Sequence, residues 1–174
     1  MAEIPDTLDL RRDRDLEGRG HEIWVRRVLF ALVVAVPVVA LFNVFGQRPQ
    51  THTVVGPAAS LKVYAPVHVR GGLLFEARFH ITAREELKDA SLVLGSGWLE
   101  GMTLNTIEPS PVSEASNNGR LSLELGHIPA GESYLLFVQF QVNPTNVGHR
   151  TQSVELMDGE TSLLSYRRTV TIFP

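Results

Sequence analysis

The sequence predicts an all-β domain, an antiparallel two-sheet sandwich, preceded by one N-terminal transmembrane helix. Three observations carry that reading. Residues 28–45 (VLFALVVAVPVVALFNVF) hold no charge. From Leu61 onward the apolar residues recur with a period of two, the signature of half-buried strands. Clusters of Gly, Asn, Asp and Pro interrupt that alternation at the spacing of short strands.

The apolar run comes first. At about 1.5 Å per residue it makes about 27 Å of helix, close to the hydrocarbon thickness of a bilayer. Ile23, Trp24 and Val25 extend it, which places the span at residues 23–46. Within about 20 residues of the span, Arg11, Arg12, Arg14, Arg19, Arg26 and Arg27 lie on its N-terminal side, against Arg48 and Lys62 on the far side. Positive charge stays inside, so Arg26 and Arg27, directly abutting the run, are the topology determinants. Residues 1–22 are then a cytoplasmic tail, laced with opposite charges and burying little, and everything after the span is extracytoplasmic. The competing reading is a cleaved signal peptide: Val44 and Gly46 stand two apart, and Arg26-Arg27 faintly echoes a twin-arginine signal. Signal cores are shorter and their polar leaders are shorter too, so an uncleaved anchor is expected. Pro37, in mid-span, is either a kink and docking notch or an instance of the proline that membrane helices commonly carry.

Residues 47–60, with two prolines, one glycine and no clear period, read as a linker, leaving 61–174 as the sandwich. About 115 residues suffice for one domain with its own core. The net charge of −3 includes the topology-setting arginines, and with those set aside no basic stripe remains for nucleic acid. No cysteine occurs, which excludes disulfides, thiolate catalysis, thiolate zinc sites and a lipid-modified N-terminal cysteine. An exported domain without cysteine fits a bacterial envelope.

The clearest strand covers residues 73–84. Leu73, Phe75, Ala77, Phe79, Ile81 and Ala83 form a core face, and Leu74, Glu76, Arg78, His80, Thr82 and Arg84 the solvent face. Further strands are expected over 61–65, 91–94, 102–107, 121–125, 134–142, 151–156 and 163–173. Turn residues separate them, and Asp158-Gly159 calls for a tight hairpin because glycine supplies positive φ. Seven or eight short strands with no competing helical pattern indicate an immunoglobulin-like antiparallel two-sheet sandwich.

Residues 125–142 (LGHIPAGESYLLFVQFQV) combine Leu-Gly, a Pro-x-Gly-Glu-Ser turn and an alternating strand. This segment resembles bacterial cell-surface sandwich domains of the DUF11 and CARDB-like families. The resemblance extends over most of 61–174, although Arg84-Glu85-Glu86-Leu87 replaces the families' usual Asn-Thr-Gly turn. It implies an extracytoplasmic adhesion or assembly module and brings no catalytic residues with it.

Direct signs of chemistry are few. His68, His80, His127 and His149 share no metal-ligand spacing. Glu76 and Arg78, on one strand face, are expected to form a surface ion pair. No Gly-x-Ser-x-Gly elbow or phosphate-cradling loop is present, Ser162 and Ser165 lack a local histidine and acid signature, and no cofactor is implied. Two features are candidates for partner binding. Trp98, between Gly97 and the Leu99-Glu100-Gly101 segment, either plugs the core or stands at a loop edge where it docks a protein or stacks on a sugar. Leu135 and Phe137 make the polar side of the 134–142 strand apolar, and either neighbouring residues cover them or another protein does. The expected function is that of a non-enzymatic, single-pass, N-in membrane protein, an assembly or accessory subunit that binds another membrane or envelope protein. The alternative is a module for envelope glycans or another ligand.

Overall fold

The computed structural model describes residues 20–42 and 46–174. Of the expected cytoplasmic tail, all but its last three residues lie outside this range. The chain divides into two units, residues 1–44 and 45–174.

In the first unit, helix α1 (Gly20–Leu41) is long and apolar enough to cross a membrane. It begins three residues before the expected boundary, and Arg26 and Arg27 lie within its early turns. Its apolar side chains are exposed nearly all round. The helix continues through Pro37.

The second unit is a sandwich of eleven strands in a five-stranded and a six-stranded sheet. Sheet A has the order β1 (Pro49–Val55), β2 (Ala59–Pro66), β4 (Leu74–Ala83), β9 (Ser133–Val142), β6 (Met102–Glu108). Sheet B runs β3 (His68–Arg70), β11 (Thr161–Phe173), β10 (Gly148–Asp158), β5 (Leu87–Leu94), β8 (Arg120–Ile128), β7 (Ser113–Asn117). The pairs are antiparallel except β3 with β11, which is parallel. That exception arises because β3 directly continues the path of β2 across to the other sheet. Asp158 and Thr161 close the predicted hairpin, with Gly159 at φ 54°.

Alternation placed the core correctly. Phe75, Ala77, Phe79, Ile81 and Ala83 of β4 and Leu136, Val138, Phe140 and Val142 of β9 are all buried. Leu73 is the exception, 49% exposed, because the turn at Gly71-Gly72 holds it before the strand begins and its N–H donates to the Arg70 carbonyl. The linker expected over 47–60 needs a larger correction. Most of it is β1, paired along its whole length with β2, which itself starts at Ala59. Six of the seven β1 residues are exposed, so this edge strand carries none of the apolar alternation by which strands are recognised. Strands β3 and β7 carry no such alternation either: one has three residues, and the other (SEASN) is exposed throughout.

Candidate functional site

The outer face of sheet A gathers the exposed apolar and cationic side chains into two cross-strand rows. Opposed residues of neighbouring strands project to the same side. Pairing therefore aligns Thr51, Tyr64, Arg78, Phe137 and Glu108 in one row, and Thr53, Lys62, His80 and Leu135 in the next. In the first row the Arg78 guanidinium lies 5.1 Å from the Tyr64 ring centroid and 5.5 Å from that of Phe137, between two aromatic faces. Its Nε donates to Glu76 Oε1 at 2.5 Å, the ion pair expected from the sequence. That hydrogen bond, followed by the carboxylate charge itself, raises the Arg78 pKa and keeps the group a cation.

Phe137 is thus partly covered by a neighbouring strand's arginine. Leu135 is not. It remains 41% exposed and lines a shallow depression with Thr51, Lys62, Tyr64, Arg78 and His80. A second hollow beside it, bounded by Glu76, Thr106, Glu108, Phe137 and Gln139, is acidic and amide-rich. The face therefore offers an apolar centre with cations on one flank and carboxylates on the other. Tyr64 and Lys62 were not singled out in advance, although their parity in the 61–65 strand already placed them outward.

Trp98 does not belong to this surface. It is fully buried, set by a single 3-10 turn (Ser96–Trp98) against Phe79 and Phe140 with ring centroids 5.5 and 5.4 Å away. Its indole N–H donates to the Ser153 carbonyl at 3.0 Å. The glycine before it is there for space: a Cβ on Gly97 would lie 2.0 Å from the Thr151 carbonyl oxygen. Over the indole, at 4.8 Å, lies Arg168. This arginine donates to Gln152 Oε1 and to the carbonyls of Ala65 and Pro66, so it joins β11 to β2 across the sandwich. Burial pulls its pKa down to about 10, which still leaves it charged at neutral pH.

The four histidines remain dispersed. His127 pairs with Glu86 at 3.0 Å, His149 contacts the Thr171 hydroxyl at 3.1 Å, His68 faces the Phe173 ring, and His80 lies in the sheet A row. Among the described residues no group of His, Asp and Glu is arranged to hold a metal.

No family model and no curated protein matches the chain. Among solved structures, the chain is similar to AvmM, which catalyses macrocyclization in alchivemycin A biosynthesis (9% identity, 74% of this chain and 90% of that one, TM-score 0.44). It is also similar to CaCohA2 from Clostridium acetobutylicum (12% identity, 68% and 92%, TM-score 0.48). A third is the CARDB domain of a Pyrococcus furiosus protein in complex with di-metal ions (14% identity, 71% and 94%, TM-score 0.41). The two-sheet, immunoglobulin-like class of the domain stands on its strand pairing, and these likenesses carry nothing about partner or chemistry.

Proposed function

We propose that the protein is a non-enzymatic, single-pass membrane protein that displays its sandwich outside the cytoplasm and docks another membrane or envelope protein on the outer face of sheet A. The observation that carries the proposal is Leu135, an exposed leucine on a sheet face, whose surrounding side chains include cationic and aromatic ones. Aromatic and arginine side chains around an apolar centre are the composition of protein-binding hot spots. The anchor raises the effective concentration of the domain for membrane neighbours, since only residues 42–48 separate α1 from β1. The glycan alternative drew on Trp98, and the core takes that side chain.

A photo-reactive residue at Leu135 in native membranes is expected to give a discrete protein adduct, whereas one at Val112, which is 73% exposed away from this face, gives none. Adducts at neither position, or at both alike, would remove sheet A as the docking face. Topology is tested separately: a cysteine at Ser116 is expected to react in spheroplasts with a reagent that cannot cross the membrane, and one at Ala2 is not.

A further inference from the structure

Seven large apolar side chains of the sandwich are exposed, and four of them share one end of it. Leu73 and Leu74 are each 49% exposed, Val147 49% and Phe173 43%. Backbone contacts place them together. The Gly71 N–H donates to the Phe173 carbonyl at 2.8 Å, the Gly72 N–H to the Val142 carbonyl at 2.8 Å, and Val142 in turn donates to the Leu73 carbonyl. The loop leading to Val147 touches the same turn: a Cβ on Gly71 would lie 2.9 Å from the Pro144 carbonyl oxygen. Leu73 and Leu74 are consecutive, so their side chains diverge, and neither finds a place in the core. The other three, Val55, Val112 and Leu135, stand singly elsewhere. Isolated exposed apolar residues need no explanation, but four at one tip do.

This is also the end at which β1 begins, since Pro49 pairs with Pro66 immediately before β3. Phe173 and Arg70 are register partners there, and Arg70 is exposed without an ion pair among the described residues. Glu100, whose backbone carbonyl accepts from Asn146 beside Val147, is engaged by Arg150 at 3.6 Å. Residues 42–48, the covalent tether from α1, reach at most about 25 Å even when fully extended.

We infer that this tip is a lipid contact: Leu73, Leu74, Val147 and Phe173 enter the boundary between headgroups and acyl chains of the membrane that α1 spans, with Arg70 at the level of the phosphates. The inference rests on the anchor reading of α1. Apolar side chains gain by leaving water at that boundary, an aromatic ring is well placed there, and a guanidinium is attracted to anionic headgroups. The tip would then fix the orientation of the domain, turning the outer face of sheet A sideways to meet neighbours in the same membrane.

The absence of native cysteine makes the test direct. The full chain, carrying a single Val34→Cys, Leu74→Cys, Phe173→Cys or Val55→Cys substitution labelled with an environment-sensitive fluorophore, is reconstituted into vesicles of phosphatidylcholine and phosphatidylglycerol. One set of vesicles carries lipids with a nitroxide near the headgroup end of the acyl chain, which reads positions 74, 173 and 55, and a second set carries it near the methyl end, which reads position 34. Quenching is expected at positions 34, 74 and 173, several-fold stronger than at 55, which lies at the far end of β1. Quenching at 34 with 74 and 173 no different from 55 overturns the lipid contact and leaves the anchor standing. No quenching at 34 either removes the anchor and this inference together. Labels at 74 and 173 that are shielded from aqueous iodide yet not quenched by lipid would mean that a second copy of the protein covers the tip, and that also overturns it.

Discussion

Two arginines of the domain lie over aromatic rings, one inside the sandwich and one on its face, and the contrast separates what holds the fold from what the fold presents. Arg168 has no carboxylate partner among the described residues; carbonyl oxygens, an amide and the Trp98 ring receive it. Arg78 has its carboxylate, Glu76, and covers Tyr64 and Phe137 in the open. A buried guanidinium without hydrogen-bond partners would be costly, so each of Arg168's bonds is a structural requirement. An exposed guanidinium already has water to satisfy it. Its stack and its ion pair therefore add little to stability and are free to rearrange.

The largest effect expected tests the boundary between inside and outside directly. Phe79→Asp places a charge beside Trp98 with no partner and should abolish the cooperative melting transition, a loss above about 4 kcal/mol. Arg78→Asp, one residue away, should melt close to the parent. Equal damage from both would show that the division drawn here is false. Next comes Arg168→Met, which leaves the Ala65 and Pro66 carbonyls and the Gln152 side chain in the core without their donor. Urea unfolding should show a loss of about 2–4 kcal/mol. A neutral result would mean that the aromatic contact, not the hydrogen bonds, is what the arginine supplies.

The outer stack should behave in the opposite way. Leu135→Ser with Phe137→Ser is expected to lower stability by no more than about 1 kcal/mol, while weakening partner association by about 2 kcal/mol. Co-purification from membranes and thermal melting, measured on the same variant, separate the two. The smallest effect belongs to an intermediate case, Arg120 paired with Glu155 at 2.7 Å on sheet B. The Ser162 hydroxyl, and to a lesser degree Arg120, hold the Glu155 carboxyl below the usual carboxylate range, against the upward push of its burial. A carboxyl depressed in the folded state stabilises above its unfolded pKa, and that contribution disappears as pH falls through the folded value. Ser162→Ala should thus cost about 0.5–1 kcal/mol at pH 7. The gap should close as the solution is acidified, a convergence that pH-dependent unfolding would reveal.

The β4 and β9 faces were legible because a half-buried strand must alternate, and Leu135 and Phe137 were legible as breaks in that alternation. Strands β1 and β7 were hidden because their residues are exposed on both sides, leaving no period to read. Arg168 was concealed differently. Leu164, Tyr166, Val170 and Ile172 share its parity, yet a charged residue at an inward position reads as solvent-facing until its partners from β2 and β10 are known. For Trp98 the sequence left core and surface open. The choice depends on a turn geometry fixed by contacts with Thr151 and Ser153, more than fifty residues downstream.

The first strand after the tether is an edge strand, and this has a mechanical consequence. All seven residues of β1 lie in unbroken register against β2, and the chain arrives at Pro49, the end of the strand nearest the tip. Tension applied at Pro49 and directed out of that end acts along the strand, across hydrogen bonds that lie perpendicular to it. The load is then shared by the whole ladder at once, as in shear, rather than opening one pair after another as in unzipping. A strand fastened in this way carries tension at Pro49 into the sheet without peeling from it.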